Sequence, residues 1–166
     1  MAEKILVGYA TKYGSTQEVA EFIADVFREI GLTTDLRELR EVKSLEGYRA
    51  VVMGAPFYMY QWLKDAPKFL ARHQAALEGL PVAVFALGPT EASETPENKP
   101  EVFAQLDKAL GAFPWLEPVD QALFGGKFDP AQLKFPMSLF MGKMPASDIR
   151  DWDQIRAWAE GVSKKI

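Results

Sequence analysis

The sequence predicts an α/β fold, a parallel sheet with helices on both faces, and three observations predict it. Short β-branched apolar runs alternate with stretches of helical periodicity along the chain. Five such runs occur, each separated from the next by a helical pattern or a turn signal, as parallel strands joined by crossovers require. The loops after the first, third and fourth runs are also the most unusual in composition, and in such sheets ligands bind beyond the carboxyl ends of the strands.

Ile5–Ala10 reads as the first strand. Val19, Phe22, Ile23, Val26, Phe27 and Ile30 then recur at helical spacing, and Gly31 stands where that helix would end. Leu32–Leu39 is a less apolar strand that suits a sheet edge. Tyr48–Ala55, with Val51-Val52-Met53 at its centre, is a strand buried on both faces. A helix is expected from Asp65, with Pro67 in its first turn, to Gly79. Pro81–Leu87 is the fourth strand. Asn98-Lys99-Pro100-Glu101 has the form of a capping box opening a helix through Leu110 to Gly111. Val119–Phe124 is the fifth strand, and Asp151-Trp152-Asp153-Gln154 caps a last helix carrying Ile155, Trp158 and Val162.

Composition narrows the chemistry. The chain has 166 residues, the size of one domain with a substantial core. A net charge of −4 gives no basic face for nucleic acid. With no cysteine, disulfides, thiolate metal sites and cysteine nucleophiles are out of reach, and the lone His73 cannot build a multi-histidine metal cluster. His73 falls mid-helix and reads as a packing or surface residue. The apolar run after Lys4 is too short for a leader or a membrane span, so a cytoplasmic protein is expected.

The first loop, Thr11-Lys12-Tyr13-Gly14-Ser15-Thr16, leads straight into a helix. Its hydroxyls, its glycine and the unpaired amides of a helix start make an anion site, with Lys12 as a counter-charge. Two phosphate fingerprints fail here. G-x-G-x-x-G is absent, and for G-x-x-x-x-G-K-[ST] the Gly8–Gly14 spacing is one residue too long, with Ser15 in the lysine position. An alternative is that Ser15 and Glu18 merely form a capping box; it leaves the hydroxyls of Thr11 and Thr16 unexplained.

Strand, Thr11-x-Tyr13-Gly14-Ser15-Thr16 and helix resemble the T-x-T-G-x-T phosphate loop of flavodoxins. The form Ala10-Thr11-Lys12-x-Gly14-x-Thr16 is similar to one branch, the flavodoxin-like menaquinone-dependent protoporphyrinogen oxidases and their relatives. The resemblance runs nearly the full length, through Met144-Pro145 and Asp148-x-Arg150-Asp151-Trp152-Asp153. It implies a flavodoxin-like three-layer sandwich over residues 1–166, strand order 2-1-3-4-5, with FMN as cofactor. Thr11, Lys12, Tyr13, Gly14, Ser15 and Thr16 would take the phosphate. Ala55, Pro56, Phe57, Tyr58 and Trp62 would form one wall of the ring site, with Phe57 and Tyr58 the foremost ring contacts and Trp62 next, since flat side chains stack well on such a ring. Leu87, Gly88, Pro89 and Thr90 would form the other. Glu91, Glu94 and Glu97 beyond them read as a solvated acidic loop.

Nothing in the sequence obliges acid–base or nucleophilic catalysis, so no catalytic residue is assigned; redox chemistry would be the cofactor's own. Gly125–Ser147 fits poorly into five strands. Its methionines, aromatics and lysines suit a surface for a partner, a quinone or a membrane, and equally a short helix packed on the domain. In the family resembled, an insertion here bears on quinone or membrane engagement. The resemblance thus implies an FMN oxidoreductase passing electrons from a reduced organic molecule, a porphyrinogen among the candidates, to a quinone or another acceptor. A flavodoxin-type shuttle serving redox proteins, and a module that binds FMN or phosphate without redox chemistry, are the other readings.

Overall fold

The computed structural model describes residues 4–166, so the first three positions of the expected 1–166 domain lie outside the described residues. Its elements run β1 (Lys4–Tyr9), α1 (Ser15–Glu29), β2 (Thr34–Glu38), β3 (Tyr48–Tyr58), β4 (Gln61–Trp62), α2 (Asp65–Arg72), α3 (Gln74–Leu77), β5 (Val82–Leu87), α4 (Pro100–Phe103), α5 (Gln105–Leu110), β6 (Asp120–Phe124), β7 (Lys127–Phe128), α6 (Met137–Met141), β8 (Ser147–Asp148) and α7 (Trp152–Ser163). The main sheet pairs β2-β1-β3-β5-β6, all parallel, which is the order 2-1-3-4-5 of the five expected strands. The less apolar β2 sits at an edge, as its composition predicts.

Period-2 alternation divides the sheet between two cores. Ile5, Val7, Tyr9, Ala50, Val52, Ala83, Phe85 and Leu87 pack against α1 and α7. Leu6, Val51, Met53, Ala55, Phe57, Val82, Val84 and Ala86 pack against α2 and α5. These are the three layers of the sandwich. Gly54 belongs to the alternation on the α1 side, where a Cβ would lie 2.2 Å from the Phe85 ring. Only glycine lets that ring cross the central strand.

Helix ends follow local chemistry. Gly31 takes φ 97° after α1, and the Leu32 amide donates back to the Phe27 carbonyl at 2.9 Å, closing the last turn. Asp151 caps α7, accepting from the Gln154 amide at 3.1 Å.

Several elements depart from expectation. The third strand runs past Ala55 to Tyr58 and folds back as β4, so the expected Pro56–Trp62 loop is a hairpin. Its two turn residues, Met59 and Tyr60, take φ 48° and 66° without glycine or asparagine, so no turn signal marks it. The expected 65–79 helix breaks at His73, where φ is −108°, and the 100–110 helix breaks at Ala104. The capping box at Asn98 does not form. Asn98 instead accepts from the Thr95 amide at 2.8 Å and donates to the Ser93 carbonyl at 2.8 Å, bracing the loop ahead of α4.

Candidate functional site

β1, β3 and β5 are neighbours, so their carboxyl ends and the loops that leave them converge at one end of the sheet. At the first of these, Gly14 takes φ 95° as the residue preceding α1. Ser15 is already helical, one position too late to cap, and no side chain caps the helix; the capping-box alternative fails. The amides of Ser15, Thr16 and Gln17 have no acceptor among the described residues. The Gly14 amide donates to Thr11 Oγ1 at 2.8 Å, which folds the loop and leaves the Thr11 hydroxyl proton to donate elsewhere.

Thr16 is fully buried, and its Oγ1 has no hydrogen-bond partner among the described residues. A buried hydroxyl left unpaired costs about 1–3 kcal/mol. Beside three free amides at a helix start, it adds a hydroxyl donor to the same site. The donor set fits a phosphate held by amides and hydroxyls.

The only basic side chain in the loop is Lys12, whose Nζ stands 5.4 Å from the Tyr13 ring centre and 5.6 Å from that of Tyr58. The two rings meet edge to face at 5.8 Å, joining the first loop to the tip of β3. Burial, with Tyr13 alongside, pushes the Tyr58 hydroxyl up to about 12, so it remains a protonated donor at ordinary pH.

The other expected ring contacts are divided by the pleat. Phe57 and Trp62 face away from the phosphate loop, nearly parallel to each other (15°) at 6.0 Å, in the core against α2. Trp62 Nε1 donates to the Ala55 carbonyl at 3.1 Å, and the Leu63 amide donates to the Pro56 carbonyl. Tyr58 is therefore the aromatic side chain of this wall that meets the phosphate loop. On the opposite wall Leu87 and Pro89 are buried, the Gly88 amide donates to the Phe124 carbonyl at 2.9 Å, and a Cβ on Gly88 would press on Leu123 at 2.9 Å. Glu91 and Glu97 are exposed and Glu94 partly so, as a solvated acidic loop requires.

The segment beyond β6 binds to both loops. The Gly126 amide donates to the Pro89 carbonyl at 2.7 Å and Ser147 Oγ to the Thr90 carbonyl at 2.6 Å. β7 and β8 pair as the base of an arch, with α6 at its crown. Arg150, whose side chain is only 4% exposed, ties this base to the phosphate loop. Its guanidinium forks onto Asp148 (2.9 and 2.8 Å), donates to the Ser15 carbonyl at 3.2 Å, lies 3.6 Å from Glu18 and covers the Trp152 ring. It holds the Asp148 carboxyl below its ordinary value. With every face engaged, Arg150 is a strut. The sequence displayed it in Asp148-x-Arg150-Asp151, but its partner on α1 is 135 residues away and invisible to local pattern.

The crown decides between the two readings of Gly125–Ser147. Nothing in α6 is buried, and Phe135, Leu139 and Phe140 are 79%, 71% and 77% exposed. It is an apolar surface, with Lys134 and Lys143 on it.

The fold and this constellation of loops define a flavodoxin-type protein. The family model described as "Flavodoxin domain" matches residues 6–151, and the chain belongs to that family. Among curated proteins it is similar to the protoporphyrinogen IX dehydrogenase [quinone] of Escherichia coli, 23% identical over 176 aligned positions that span 96% of this chain and 94% of that one. Solved structures with the same fold include a flavodoxin from the domain Archaea (TM-score 0.61, 16% identity, 98% of this chain and 97% of that one) and oxidised flavodoxin 1 from Bacillus cereus (TM-score 0.60, 17% identity, 98% and 99%). Flavoprotein electron transfer is the activity this kinship supports.

Proposed function

We propose that this chain is a single FMN-binding domain, with 125–147 as an insertion, that moves electrons from a reduced organic substrate to a quinone. The observation that carries the reading is the unpaired Thr16 hydroxyl beside the uncapped start of α1. Amides of Ser15, Thr16 and Gln17 with the hydroxyls of Thr11 and Thr16 would hold the FMN phosphate, as the loop's hydroxyl-rich sequence suggests. Ala55–Tyr58 and Leu87–Thr90 would hold the ring, Tyr58 excluding water with its face and donating through its protonated hydroxyl. When bound, FMN supplies the hydride and electron transfer; the protein contributes position and field.

The similarity to the Escherichia coli dehydrogenase, whose coverage extends through the arch, supports a porphyrinogen as reductant and a quinone as acceptor. The exposed apolar crown with its lysines supports peripheral contact with a membrane that dissolves such an acceptor. Among the described residues no helix is long and apolar enough to cross one.

The test mixes the FMN-loaded protein with protoporphyrinogen and a soluble menaquinone analogue. Oxidation well above the rate with free FMN is expected; no acceleration removes the substrate assignment. The acidic loop at Glu91–Glu97 favours one second reading, a carrier that docks basic redox proteins. Electron delivery to such a partner that falls steeply with salt, without porphyrinogen oxidation, would select it.

A further inference from the structure

A groove of about 700 Å³ lies on the α2 side of the β3–β4 hairpin. Its volume lies within the range that holds a small organic ligand. One wall is the hairpin, with Phe57, Tyr60, Gln61 and Trp62; the other is α4–α5 and the turn after it, with Gln105, Lys108, Ala112 and Phe113. Its floor is aromatic: Phe57 and Trp62, 9% and 8% exposed, stack nearly parallel on each other there.

The polar groups on the rim are of both kinds. Lys108 has no ion-pair partner among the described residues, and with the Gln61 amide it offers donors. Gln105 is only 8% exposed; its Nε2 is spent on the Val102 carbonyl at 2.7 Å, which leaves Oε1 as an acceptor. Glu101 adds a second acceptor. A flat ring whose oxygens accept hydrogen bonds in one state and donate them in another matches that set.

The groove also stands in a definite relation to the phosphate loop. Phe57 lines it, while Tyr58, the next residue, meets Tyr13 of the loop, so the two sites lie on opposite faces of one strand tip.

Resting on the FMN reading above, we propose that this groove is the acceptor site, taking a flat bicyclic quinone against Phe57 and Trp62. FMN bound in its two-electron-reduced form would supply the two electrons and two protons that turn the quinone's two C=O groups into C–OH, itself returning to the oxidised form. Lys108 and Gln61 hold the carbonyl form, and Gln105 Oε1 and Glu101 accept from the hydroxyl form.

The probe is 2-methyl-1,4-naphthoquinone, titrated calorimetrically into the FMN-saturated and the FMN-free protein, with the Trp62 indole N–H followed by NMR. Binding is expected in both, with movement of the Trp62 resonance. Ala112→Trp, which fills an exposed position of the groove, should weaken it about tenfold or more, and Lys108→Met by roughly three- to tenfold, each leaving FMN affinity unchanged. No binding, binding untouched by both variants, or binding lost when FMN saturates the protein overturns the assignment. Failure of the FMN reading would appear separately, as no FMN binding in its own titration.

Discussion

Thr16 buries a hydroxyl that finds no partner among the described residues, in a position where valine would fill the same space. Thr16→Val should therefore leave the FMN-free protein as stable as before or slightly more so, since it removes an unpaired polar group. FMN binding should weaken by about 1.5–3 kcal/mol, the worth of a hydrogen bond to a charged group, and Thr11→Ala should add to the loss. Thermal unfolding and a flavin fluorescence titration check the two halves. Opposite signs in them separate a ligand group from a structural one.

His73 is a second residue with a legible role. Its Nε2 lies 3.2 Å from the Val42 carbonyl, to which it donates, and its ring packs on Phe69. Burial, set against that hydrogen bond, lowers its pKa below the ordinary 6.5. A depressed histidine pKa means that the unfolded chain binds the proton more tightly. Its contribution to stability is full above pH 6.5 and is lost as pH falls. As the sole histidine, its imidazole resonance should titrate below pH 6.5; a midpoint above that value would contradict this placement. The sequence indicated packing here, but not that the anchor to Val42 would accompany a break between α2 and α3.

At the scale of elements, the legible parts were those set by periodicity. All five core strands, α1 with its Gly31 stop and α7 with its Asp151 cap follow from spacing and cap chemistry. The β3–β4 hairpin was not legible, because Met59 and Tyr60 hold a left-handed turn that only tertiary packing selects. The pleat was decisive for the site. It sends Tyr58 to the phosphate loop and Phe57 to the groove, an alternation that a strand ending at Ala55 would not have extended to them. The arch illustrates the same limit, since its composition suited a packed helix and an exposed surface equally, and burial alone decides. Its apolar crown and lysines should bind anionic vesicles in co-sedimentation. Leu139→Asp with Phe140→Asp should lower the bound fraction several-fold without changing FMN affinity, because nothing in α6 enters the core. Equal binding by the variant would assign the crown to another partner.

For the molecule as a whole, fold and cofactor loop agree while charge and substrate speak more faintly. A net charge of −4 opposes adsorption to anionic lipid, so vesicle binding should rest on apolar insertion with local lysines and weaken only modestly in salt. The two faces of the β3 tip set the phosphate loop and the groove on opposite sides of one strand. Everything in that account depends on FMN at the α1 start. The direct measurement is the absorbance spectrum of the purified chain after incubation with FMN and removal of the free compound. The account predicts a retained, protein-perturbed flavin spectrum that Thr11→Ala with Thr16→Val reduces; a colourless protein, or retention indifferent to those substitutions, would contradict it.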